Sequence, residues 1–203
     1  MPSQNYGSDV RFLREHTDLI DLSASDGARV VVAPVFQGRV MTSTTAGNEG
    51  RSFGWLNRPF IEREQEDDPG FNNYGGEDRF WLGPEAGQFG LFFAKDEPFD
   101  VDHAKCPAGF GTGPFEVKDS SSTSVAMTKR FEVSNYSGTR FDCHVDRTIN
   151  ALTAEAASRS LGVELPESVA TVAFESVNVL TNAGQCPWTR DGGLLSIWSL
   201  GMM

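Results

Sequence analysis

The 203-residue sequence predicts an all-β fold: an antiparallel β-sandwich or barrel forming a single domain over residues 1–203. Three observations carry the prediction. Roughly nine short β-branched or alternating runs are separated by Gly, Pro, Asp and Ser clusters; only one segment reads as a helix; and strands and helices do not alternate as a parallel sheet requires.

The elements follow in chain order. DLIDLSA (18–24), ARVVVAPVF (28–36) and GRVMTST (38–44) are each extended in character and bounded by turn residues. TAGNEGRSFGWLNRPF (45–60) is Gly-rich and aromatic without a helical stripe, and reads as a long connection. IEREQEDDPGFNNYGGED (61–78) is acidic and lacks the spacing of a calcium loop, so it reads as a solvated loop.

GGEDRFWLGPEAGQFGLFF (75–93) reads as a hairpin, with RFWLG and QFGLFFA as strands joined across Pro84 and Gly87. Alternation divides the first strand into two faces. Asp78, Phe80 and Leu82 form the apolar core face, and Glu77, Arg79 and Trp81 point outward together. Residues 96–122 are rich in Pro and Gly and read as loop with a short strand near Phe115–Val117.

The second half has the clearest periodicity. SVAMTKRFEVS (124–134) is a strand. In FDCHVDRTI (141–149), Phe141, Cys143, Val145 and Ile149 share one face, while Asp142, His144, Asp146 and Thr148 share a wet one. LTAEAASRSLG (152–162) is the helix candidate, with Thr153 as N-cap and Gly162 as C-cap. TVAFESVNVLTN (171–182) returns to strand, and GLLSIWSLGMM (193–203) begins another. The chain stops inside this apolar run. The expectation is therefore either the N-terminal part of a longer domain, incomplete at its C-terminus, or a last strand that pairs back into the sheet.

Composition narrows the function. A net charge of −11 repels phosphate backbones and anionic membranes, which argues against nucleic acid and membrane partners. No apolar stretch suits a transmembrane helix and the start is not a signal peptide, so a cytoplasmic location is expected. Cys106, Cys143 and Cys186 are odd in number and far apart. They give no disulfide framework and no metal pair, and read as buried or half-buried thiols. Cys143 and His144, being strand neighbours, face opposite ways and make no dyad. No cofactor or metal motif is present.

FESVNVLTNAGQCPW followed by SIWSLGMM resembles the strand, TN-x-G turn and strand of galactose mutarotase and aldose epimerase-like proteins. With GRVMTST, SFGWLNRPFI and the 75–93 stretch, nearly the whole chain also resembles the N-terminal part of a bacterial domain family of unknown function. The resemblance implies a galactose mutarotase-like super-sandwich that binds a sugar ring on a concave sheet face. It further implies a His general acid and a late Glu general base, which this sequence does not reach. Neither His16, His103 nor His144 stands in the family's motif, so no catalytic residue is assigned.

A carbohydrate site needs an aromatic platform beside planar polar groups. Glu77, Arg79 and Trp81 supply both types, with Glu85 and Gln88 close by. Arg58 and Asn73 in the flanking loops and His144 on the wet strand face are further candidates, and Trp188 and Arg190 weaker ones. Three functions stay open: binding of a carbohydrate or related small polar ligand, ranked first; a sugar epimerase or mutarotase-like enzyme; and a structural or interaction domain. The sugar, the reaction and the oligomeric state are not assigned by the sequence.

Overall fold

The computed structural model describes residues 5–25, 27–63 and 71–203. The chain is mainly β. β1 (Ile20–Leu22), β2 (Arg29–Ala33) and β3 (Arg39–Thr44) form one antiparallel sheet. β4 (Arg79–Gly83) pairs with β9 (Ser196–Leu200), and β5 (Glu116–Ser120), β6 (Ser124–Ser134), β7 (Arg140–Leu152) and β8 (Ala173–Asn182) form the third sheet in that order. None of these sheets closes into a barrel among the described residues.

Local chemistry explains most boundaries. β6 and β7 pair over eleven residue pairs, from Ser124 with Asn150 to Ser134 with Arg140. The inward row of β7 is Phe141, Cys143, Val145, Arg147 and Ile149, all buried as the alternation requires except that one of the five is an arginine. Of the four α-helices among the described residues, α4 (Ala154–Leu161) is capped as expected: the Ala156 N–H donates to Thr153 Oγ1 at 3.2 Å, and Gly162 closes it in the left-handed region at φ 68°.

Three expectations about elements change. A helix, α1 (Tyr6–His16), precedes β1, so 152–162 is not the sole helix. Asn5 and Ser8 cap it reciprocally, and Tyr6, Val10 and Leu13 bury a narrow stripe that Gly7, Ser8 and Asp9 dilute in the sequence. The 45–60 connection carries a 3-10 turn at Gly47–Glu49 and leads into the short α2 (Arg58–Ile61). The expected 79–94 hairpin does not form. After Gly83 the chain doubles back, with Leu91 N–H donating to Pro84 O at 2.9 Å and Phe92 N–H to Glu85 O at 3.1 Å, and β9 takes the place beside β4.

Two apolar clusters hold the layers together. The larger joins Val30, Val32 and Val40 of the first sheet, Phe80 and Leu82 of β4, and Val125, Met127, Phe141 and Val145 of the third. The smaller packs α1, through Tyr6, Val10 and Leu13, on the opposite face of β2 and β3, at Val31, Ala33 and Met41. A bulge between Val31 and Val32 accompanies this burial of β2 on both sides. β4 is tied to β3 by the Val40 N–H, which donates to Asp78 O at 3.0 Å, and by the Glu77 N–H, which donates to Val40 O at 2.8 Å. Among the described residues no helix is long and apolar enough to cross a membrane.

Candidate functional site

The outward trio expected at β4 is buried. Asp78, Phe80 and Leu82 face the larger core as predicted, but Glu77, Arg79 and Trp81 on the other face are equally enclosed. The cause is the returning chain after Gly83 together with the segment before β4: Phe92 stacks on Trp81 at 5.4 Å between centroids, Phe110 of α3 (Ala108–Gly111) meets it edge-on at 5.9 Å, and Phe71, from before β4, lies parallel at 6.3 Å. β4 is therefore covered on both faces. No ligand reaches Trp81 without displacing this aromatic stack.

The polar members of that face bond mostly to their own surroundings, although Arg79 Nε and Trp81 Nε1 are buried without a hydrogen-bond partner among the described residues. The Glu77 carboxylate accepts from Ser43 N–H at 2.6 Å and Ser43 Oγ at 2.8 Å. Burial raises its pKa, and these hydrogen bonds draw it part of the way back. Arg79 lies over the Trp81 ring, 4.0 Å from its centroid, and donates from Nη1 to Phe71 O at 2.6 Å. Burial lowers its pKa to about 10. Arg39, also buried, donates to Gln37 Oε1 and to the carbonyls of Asn72 and Gly75. Desolvation, followed by the nearby Arg79 charge, lowers its pKa. On the opposite face Arg147 of β7 pairs with Asp78. These charges weld the β3, β4 and β7 strands together.

The remaining candidates separate. Glu85 and Gln88 are exposed in the turn after β4, and Asn73 is exposed in the segment before it. Glu64, Glu66, Asp67 and Asp68 of the acidic stretch lie outside the described residues. Trp188 packs edge-on against Phe141 at 5.6 Å as part of the core margin. Cys106 and Cys143 are buried, with pKa values pushed up by burial to about 11 and about 12, whereas Cys186 is exposed. Arg58 and His144 each line a groove.

The Arg58 groove, about 500 Å³, runs between α1 and the 51–59 connection. The first turn of α1 presents the buried Asp9, whose Oδ1 accepts from Arg58 Nη2 at 2.5 Å. Phe12, one turn further along, lies beneath the guanidinium at 4.2 Å. The Arg58 Nε is buried without a hydrogen-bond partner among the described residues. Arg51, Ser52 and Trp55 complete the wall, and Trp55 is 44% exposed.

Main-chain bonds fix the backbone that carries that indole. The Trp55 N–H donates to Met202 O at 3.1 Å, and its carbonyl accepts from Gly76 N–H at 2.9 Å. Gly75 has to be glycine here: its φ is +89°, and a Cβ would stand 2.1 Å from the Trp55 oxygen.

The second groove, about 750 Å³, lies on the wet face of β6 and β7, with Lys118 and Glu116 of β5 at its side. Thr128 Oγ1 donates to Val145 O at 3.0 Å, so it accepts from His144 Nε2, 3.2 Å away. Asp146 Oδ1, 3.2 Å from the same nitrogen, accepts as well. This network places the neutral ring's proton on Nε2. Cys143 faces the core on the other side of β7, as the alternation predicts.

Asp9, Arg51, Ser52 and Trp55 were not among the sequence candidates, although Trp55 and Arg58 belong to the same aromatic connection. The available signal was NRP, which caps and starts α2 and begins two residues after Trp55, itself preceded by Gly54. Asp9 could be found only by recognising α1.

The described residues thus define a mainly β protein of three antiparallel sheets, with a polar groove beside an exposed tryptophan and a second groove over a sheet face. The chain belongs to a family of unknown function, DUF6786, whose model matches residues 4–203. No curated protein and no solved structure matches it, so the resemblance to galactose mutarotases rests on the sequence motifs alone.

Proposed function

We propose that the chain binds a carbohydrate or related polar ligand in the groove between α1 and the 51–59 connection. One observation carries this reading: the exposed Trp55 ring stands in the same groove as the Asp9–Arg58 pair, Arg51 and Ser52. A sugar ring presents C–H bonds to such an indole and hydroxyls to the carboxylate and guanidinium groups. The groove replaces the Glu77, Arg79 and Trp81 surface as the ligand site. On the fold, the core shared by the strand layers supports reading them as an antiparallel β-sandwich of the mutarotase-like type.

Binding is preferred over epimerase chemistry on geometric grounds. A mutarotase-like enzyme needs a His and a carboxylate on either side of a sugar ring. Among the described residues, His144 shares a groove with Asp146 and Glu116, and it is hydrogen-bonded to Asp146 at 3.2 Å, which leaves no room for a ring between those two. The test is isothermal titration against neutral monosaccharides and their uronates. Binding is expected, with affinity falling at least about tenfold in Trp55→Ala, whose exposed site leaves the core untouched. Absence of binding across the panel, or affinity unchanged in Trp55→Ala, overturns the proposal.

A further inference from the structure

β8 is the end strand of its sheet, and it has an unusually open edge. It pairs with β7 over ten consecutive residue pairs, from Cys143 with Asn182 to Leu152 with Ala173, without a bulge. Its other edge makes no backbone hydrogen bond to any described segment. Natural edge strands are usually shielded by brevity, lysines, prolines or bulges. AFESVNVLTN has none of these, and its single charge is Glu175. Val177 and Val179 stand 43% and 51% exposed on its outer side.

The strand is also complementary to itself. An antiparallel pairing with a second copy, centred on Asn178, puts Val177 opposite Val179 and Glu175 opposite Thr181. Ser176 then meets Leu180, and Phe174 meets Asn182. Residues opposite one another share a face, so the two exposed valines of each copy close into one apolar row while no like charges meet. A two-fold axis at Asn178 gives an isologous contact that joins two four-stranded sheets into one.

We propose that β8 is a homodimerisation edge, occupied by β8 of a second copy of this chain. The backbone supplies the hydrogen bonds and the valine row sets the register. Other strand donors are the competing occupants, and they leave the purified protein monomeric.

The test is sedimentation velocity on the intact chain over about 1 to 200 µM, with hydrogen exchange read on the β8 amides. A species of twice the 22.2 kDa monomer mass is expected to grow with concentration. The β8 amides that do not bond to β7 should become protected in step with it. Val177→Lys with Val179→Lys, both at exposed positions, is expected to give a monomer with unprotected edge amides and the melting temperature that the wild type shows when dilute enough to be monomeric. A 22.2 kDa species alone throughout the range overturns the proposal. So does a dimer formed while the wild-type edge amides stay unprotected, which needs no variant to read.

Discussion

Arg147 of β7 and Asp78, immediately before β4, form an ion pair with both partners buried, joining the β5–β8 sheet to the strand pair on the other side of the core. Arg147 also donates from Nε to Gly38 O at 2.9 Å and from Nη1 to Asn178 Oδ1 at 2.7 Å, so its guanidinium reaches three strands or their turns. Asp78→Ala removes the countercharge and leaves the cation enclosed. Its expected cost is about 3 to 5 kcal/mol, measured by urea unfolding. The double change Asp78→Leu with Arg147→Met should recover much of that loss, because no charge is then buried without a partner.

Glu77 makes stability depend on pH in the direction opposite to an ion-paired carboxylate. Its pKa in the folded chain is raised, chiefly by burial. Between the unfolded and folded values the native state holds the extra proton, so stability falls as pH rises through that window and recovers as pH drops through it. Glu77→Gln cannot ionise and should abolish this component. Unfolding free energies compared at a series of pH values check it: a wild-type minus variant difference with no fall over the window refutes the assignment.

The three thiols should react at very different rates. Cys186 is exposed, while Cys106 and Cys143 are buried with pKa values of about 11 and about 12. A chromogenic disulfide reagent at neutral pH is expected to modify Cys186 rapidly and the other two only after denaturant is added. Cys186→Ser should remove the fast phase entirely.

Two glycines with positive φ should differ sharply when replaced by alanine. At Gly75 the added Cβ meets the Trp55 oxygen at 2.1 Å, whereas at Gly47 nothing lies within 4 Å. Gly47→Ala carries only the left-handed backbone penalty, about 1 to 2 kcal/mol. Gly75→Ala adds a clash with main chain that has no flexible side chain to yield, so its loss should exceed that of Gly47→Ala by more than about 2 kcal/mol in thermal or urea unfolding.

The parts of the fold legible in the sequence were those decided by local pattern. β6 occupies the predicted span, and α4 starts and stops at Thr153 and Gly162 because a hydroxyl cap and a left-handed glycine act within a few residues. The β4 to β9 pairing was not legible, since alternation in RFWLG says which side chains share a face and nothing about which distant strand lies beside it. The candidate site was misplaced for a related reason. Alternation separated Arg79 and Trp81 correctly from Phe80 and Leu82, but Phe71, Phe92 and Phe110, which cover the polar face, come from segments without periodicity. Arg147 left a usable trace, as the lone charge in the inward row of β7.

Trp55 sits where three distant stretches of chain meet: its amide is held by Met202, its carbonyl by Gly76, and the Gly54 amide before it donates to Thr42 Oγ1 at 3.0 Å. The backbone under the indole is thus bolted down before anything strikes the ring. A ligand stacking there would meet a platform whose main chain is already placed, so little backbone ordering entropy would be lost on contact. One of those bolts is Met202, which lines no part of the groove, so loosening it is a way to unseat the platform without touching the groove wall.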